Sequence, residues 1–143
     1  MERIYPPEKG VDLDAVYSGK GGRALRWRYL KAASYPIVPE PFAENSVFYA
    51  VTDVFSDIDR DVWLDIGADD DTKLWVNDKL VWTHGTGTKP WYQQAFTRMH
   101  AELARYALVE ATQRVHLRKG ANRLMLKHYN GCCLTFFSVV LRP

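Results

Sequence analysis

Cysteine is nearly absent from this chain. Its 143 residues include only two, Cys132 and Cys133, and they are neighbours. A bridge between adjacent cysteines is strained, and two alone build neither a disulfide framework nor a zinc site. They read as small, partly buried side chains. Long apolar runs are also missing, since none approaches the ~20 residues that a membrane helix needs. The first residues, Met1 to Pro7, carry no apolar stretch of the signal-peptide kind. Charge of one sign is not in excess either: 19 basic residues face 17 acidic ones, a net +2. That balance, with no basic arm apparent, argues against a nucleic-acid partner.

Catalytic signatures are equally scarce. The four histidines, His84, His100, His116 and His128, are scattered. No serine sits in a Gly-x-Ser-x-Gly elbow, and no metalloprotease helix motif occurs. A carboxylate pair such as Asp69 with Glu102 is conceivable as acid and base, but spacing in sequence does not locate such pairs. A small stand-alone enzyme therefore ranks behind a binding or interaction domain.

What is present reads as β structure. At this length the chain makes one domain, residues 1–143, able to bury roughly 68–70% of its unfolded surface. Residues 1–23 are rich in Pro, Gly and charge and read as a segment that hugs the surface. "ALRWRYL" alternates Leu25, Trp27 and Tyr29 with Arg26 and Arg28, the period of a half-buried strand. "SVFYAVTDVF" and "DVWLDIGA" are further strands by their β-branched and aromatic content. "TKLWV" and "KLVWT" flank Asn77-Asp78, two residues that tolerate positive φ, and predict a two-residue hairpin. The simplest register sets Trp75 opposite Leu80 and Leu74 opposite Val81. Leu74, Val76 and Val81 then share one face, and Lys73, Trp75, Leu80 and Trp82 the other. Both faces are apolar, so the second needs a cover.

That cover is expected from the next segment. Phe96, Met99, Leu103 and Tyr106 recur at helical spacing and predict one amphipathic helix. "QRVHLRK", "NRLMLKHY" and "LTFFSVVLR" supply the last strands. The sum is an all-β chain, a β-sandwich with one inserted helix.

Several of these stretches also carry a resemblance. "GADDDTKLWVNDKLVW", then "VHLRKGANRLMLKHYNG" and the aromatic strand "FFSVVLR", resemble the galactose-binding-domain-like jelly rolls. In that group a D-D-G-x-K-x-W-x-N-G-K-x-V pattern precedes K-G-x-N-x-L-x-x-K. Such modules are common accessories of polysaccharide-degrading enzymes, so the resemblance implies a jelly roll, a carbohydrate partner, a catalytic domain in the same larger protein and an extracellular or periplasmic setting. The chain departs from the pattern at Asp71 and Asp78, where glycines are usual. Gly131-Cys132-Cys133-Leu134 replaces a Gly-Trp-Gly-like stretch, and the strand that usually precedes "YPPE" is absent. A weaker likeness is to the protective-antigen-type lectin sandwich, in which an adjacent Asp pair helps hold calcium.

Two candidate sites follow. Asp69, Asp70 and Asp71 suggest a metal, but calcium takes six to eight oxygen ligands, and consecutive extended residues point in alternate directions. They are read as a turn before the hairpin whose side chains bond local amides, with no metal and no cofactor. The stronger candidate is "WTHGTGTKPWY", which concentrates Trp82, His84, Lys89, Trp91 and Tyr92. Aromatic faces stack on the C–H faces of sugars while polar neighbours meet the hydroxyls. The competing reading is that Trp91 and Tyr92 pin the loop and helix onto the Trp75/Trp82 face. The expected function is a non-catalytic carbohydrate-binding module. The alternative is a non-binding β-sandwich that packs against a partner domain or chain, because an unpaired sheet edge invites one.

Overall fold

A computed structural model describes residues 1–31, 36–84 and 109–143. Nine strands are formed among them: β1 (Val16–Ser18), β2 (Ala24–Arg26), β3 (Ser46–Ser56), β4 (Arg60–Asp69), β5 (Asp71–Val76), β6 (Lys79–His84), β7 (Ala111–Leu117), β8 (Gly120–Asn130) and β9 (Phe136–Arg142). A four-stranded antiparallel sheet runs β3-β8-β5-β6 and a three-stranded one β7-β4-β9, with β1 and β2 as a separate pair. The chain is all-β and sandwich-like. The predicted helix lies outside the described residues, among which the only helices are two three-residue 3₁₀ turns, Pro6–Glu8 and Lys20–Gly22.

Alternation builds the core. Val62, Leu64, Ile66 and Ala68 of β4 face Leu74 and Val76 of β5, Leu124 and Leu126 of β8, and Phe137 of β9, all buried. Each strand thus spends every second residue on the space between the two sheets, which is how two sheets share one core. Asn77 and Asp78 turn with φ of 50° and 64°, as their side chains permit. Asn77 also ties the turn to the central strand: its Oδ1 accepts the Arg123 amide at 3.0 Å, and its Nδ2 donates to Asn122 Oδ1 at 2.8 Å. Asn122 is fully buried, and its Nδ2 donates to the carbonyls of Arg118 and Gly120.

Three expectations are corrected. The hairpin register is broken by a bulge: Trp75 does pair with Leu80, but Leu74 pairs with Trp82, leaving Val81 as the extra residue. Directly opposed residues share a face, so Trp82 joins Leu74 and the core instead of Trp75 and Leu80. "ALRWRYL" gives only the three-residue β2, wholly exposed, because its partner is the short β1 and neither sheet of the sandwich. Cys132 and Cys133 are exposed, with their sulfurs 2.8 Å apart.

The N-terminal segment does hug the surface, and a lysine holds it. Tyr49, Lys127 and Lys73 form one cross-strand row on the outer face of the four-stranded sheet. Lys127 is 0% exposed. Its three ammonium protons find the carbonyls of Met1 (2.8 Å) and Arg3 (2.6 Å) and the Glu8 carboxylate (2.8 Å). Pro6 and Pro7 preset the turn that aims Glu8 inward. Glu8 Oε1 also accepts the Tyr49 hydroxyl at 2.6 Å and the Tyr5 amide at 3.1 Å. This strap is part of the cover that the second hairpin face needed.

Burial pushes the Glu8 carboxyl up, but the hydrogen bonds from Lys127, Tyr49 and the Tyr5 amide outweigh it and hold it below its ordinary value of 4.5. Because the folded state lowers this value, the contribution is fully present above pH 4.5 and is lost as pH falls through the lowered one. Glu8→Gln should therefore flatten the acid limb of stability against pH, measured by urea unfolding. Glu8→Ala, which strands a buried ammonium, should cost ~3–5 kcal/mol, and adding Lys127→Met should recover most of it.

Candidate functional site

The loop candidates divide. Lys89, Trp91 and Tyr92 lie outside the described residues. Trp82 and His84 are described, and β6 brings them together. They are two apart on one face, their rings stacked 11° from parallel with centroids 6.1 Å apart. His84 Nδ1 stands 2.9 Å from Glu110 Oε1, an ion contact without hydrogen-bond alignment. Glu110 is carried there by its own amide, which donates to the Ile66 carbonyl at 2.7 Å. The bulge that turns Trp82 inward makes it a neighbour of the core, against which it packs with Val81. Its buried indole N–H has no hydrogen-bond partner among the described residues. Trp82 is thus packed on the core side, and the reading in which Trp91 and Tyr92 pin the loop onto the Trp75/Trp82 face falls on residues outside the described ones.

The aspartates occupy a corner between sheets. Asp69 ends β4 opposite Phe136 in the three-stranded sheet, and Asp71 begins β5 opposite Tyr129 in the four-stranded one. Only Asp70 links them. Its Oδ2 accepts the amide of Gly131 at 2.6 Å, while the Gly131 carbonyl accepts the Asn45 amide at 2.9 Å. One amide that Asp70 bonds is therefore distant in sequence, because the corner lies beside the β8–β9 connection. Among the described residues, no three His, Cys, Asp or Glu side chains gather where they could hold a metal ion.

A third location emerges only from strand pairing. On β4, the exposed Asp61 and Trp63 and the buried Asp65 alternate with Val62, Leu64 and Ile66 of the core, and so lie on the other face of the strand. The register seats Trp63 between Arg114 of β7 and Arg142 of β9. Trp63 is 42% exposed in the middle of a sheet face. Around it the charges are locked: Asp61 accepts Arg114 Nη2 at 2.7 Å and lies 2.9 Å from His116 Nδ1. Asp65 takes Arg142 at 2.5 and 2.9 Å and the Thr112 hydroxyl at 2.7 Å. The hydrogen bond with His116 and the charge and hydrogen bond of Arg114 hold the Asp61 carboxyl below the usual range. Arg142 first, then Thr112, does the same for Asp65. Both stay ionised at neutral pH, each matched by a guanidinium.

This face is a charge-balanced frame around one exposed indole. The sequence held a signal for it, the period-two run Asp61-Trp63-Asp65. Its meaning depended on Arg114 and Arg142, about 50 and 80 residues away, and pairing at that distance is not read from spacing.

Asp70→Ala leaves the Gly131 amide without its charged acceptor and should destabilise the domain by ~1.5–3 kcal/mol in urea unfolding. Asp70→Asn keeps an acceptor and should lose less. EDTA should leave the melting temperature unchanged, since an ion bound only by the native state would stabilise it by mass action.

No protein family, curated protein or solved structure matches the chain.

Proposed function

We propose that this chain is a non-catalytic carbohydrate-binding module, a galactose-binding-domain-like jelly roll whose partner is a polysaccharide. The observation that carries this reading is Trp63, an indole 42% exposed on a flat strand face and framed by fixed carboxylate and guanidinium groups. A sugar ring offers an apolar C–H face and a polar rim. The indole suits the first, and Asp61, Arg114 and Arg142, the last held by the buried Asp65, suit the second. Because salt bridges hold these side chains before any ligand arrives, little rotamer freedom is lost on binding. The reading includes Trp91 and Tyr92 as loop-borne aromatics and His84 as a polar neighbour at the end of β6. A catalytic domain in a larger protein is the corresponding partner.

Native affinity electrophoresis through gels containing neutral polysaccharides tests this. The wild-type chain should be retarded by at least one of them. Trp63→Ala should lose about 1–3 kcal/mol of binding, by analogy with base stacking on aromatic platforms, with an unchanged melting temperature. A folded Trp63→Ala variant that binds normally, beside a Trp91→Ala/Tyr92→Ala variant that does not, would move the platform to the loop. No retardation on any glycan would overturn the module reading.

A further inference from the structure

The balanced total charge conceals a local excess. Lys20, Arg23, Arg26, Arg28 and Lys31 fall within twelve residues that contain no acid, so the rest of the chain, with fourteen basic and seventeen acidic residues, is net −3. This is the basic arm that the overall composition hid. The structure sets it apart from the sandwich: every residue from Lys20 to Lys31 except the half-buried Trp27 is exposed. Trp27 is held edge-on to Tyr17, with its indole N–H donated to the Tyr17 hydroxyl at 3.3 Å. Beside it Tyr29 is 93% exposed.

What sets the five cations apart is their clustering, since Arg3, Lys9, Lys79, Arg118 and Lys119 likewise have no carboxylate partner among the described residues. Arg60, Arg114, Arg123 and Arg142 are each paired with an aspartate. None of the five on the arm has a carboxylate partner among the described residues; Arg28 instead donates to the Glu40 carbonyl. Arg23 and Arg26 thus keep both prongs of the guanidinium fork for a carboxylate brought from outside, while Arg28 has one engaged. In extended chain Arg26 and Arg28 sit ~7 Å apart, with Trp27 between them and Tyr29 next. That spacing suits an anion carrying one charge per ring-sized unit, with ring faces to lay against tyrosine.

We propose that the β1–β2 arm binds the carboxylates of an acidic polysaccharide, a uronate polymer. This inference rests on the carbohydrate reading and names its substrate class. The arm recognises charge, while the Trp63 face stacks on sugar rings.

The test is isothermal titration of the full chain with polygalacturonate and with a neutral galactan, at low salt and at about 0.5 M salt, where surface charges are screened within a few ångströms. The wild type should prefer polygalacturonate by roughly tenfold at low salt and lose that preference at high salt. Lys20→Gln/Arg23→Gln/Arg26→Gln should bind galactan as the wild type does, without the preference. Its melting temperature should not change, because the arm lies outside the core. Arg23→Lys/Arg26→Lys should keep part of the preference. Equal binding of both glycans by the wild type, or a preference that survives in the triple variant, would overturn the arm's role and leave the carbohydrate reading standing. Binding to neither glycan would overturn the arm's role, and if no neutral polysaccharide retards the chain in the gels either, the carbohydrate reading falls with it. Displacement of polygalacturonate by oligo(dT) at lower concentration would assign the arm to single-stranded nucleic acid instead.

Discussion

An ammonium group with no access to water governs how this chain is assembled. Lys127 lies in the middle of the longest paired strands, and its charge would be prohibitively costly there without full hydrogen bonding. The sheet itself cannot supply the acceptors, because its own carbonyls are committed to neighbouring strands. The N-terminal segment supplies them all, two backbone carbonyls and the Glu8 carboxylate. A stretch outside the main core is thereby fixed across the outer sheet face. The strap also determines where the following residues leave the sandwich, and so places the β1–β2 arm at its periphery.

Charge is organised differently on the different surfaces. On the β7-β4-β9 face, carboxylates and guanidiniums neutralise one another across strands, leaving the single indole of Trp63 as the unusual feature. On the arm the cations stand without acidic partners among the described residues. A neutral surface favours shape and stacking. An unneutralised one attracts over the distance that salt allows. On the proposed reading, combining the two in one small domain would separate recognition of a ring from recognition of its charge.

Two local irregularities also redirect side chains. The extra residue Val81 rotates the end of β6 so that Trp82 turns toward the core. The single residue between β4 and β5 carries the chain from one sheet to the other, and Asp70 anchors that crossing to Gly131. Neither is visible as a motif, yet each decides whether an aromatic or an acid faces solvent.

Alternation and turn chemistry determined much of this protein from sequence alone. The strands around Asn77-Asp78, the long strands before and after them and the surface course of the N-terminus were legible, because period two and tolerance of positive φ are properties of a few adjacent residues. Trp82 was misplaced because a bulge shifts register by one residue, and one residue exchanges the two faces of a strand. "ALRWRYL" was overread because the same alternation suits a strand inside a sheet and one outside it. Trp63 went unnoticed as a site, since its surroundings come from β7 and β9. Only tertiary pairing decided these points, because cross-strand neighbours are chosen by the whole sheet, through contacts that span most of the chain.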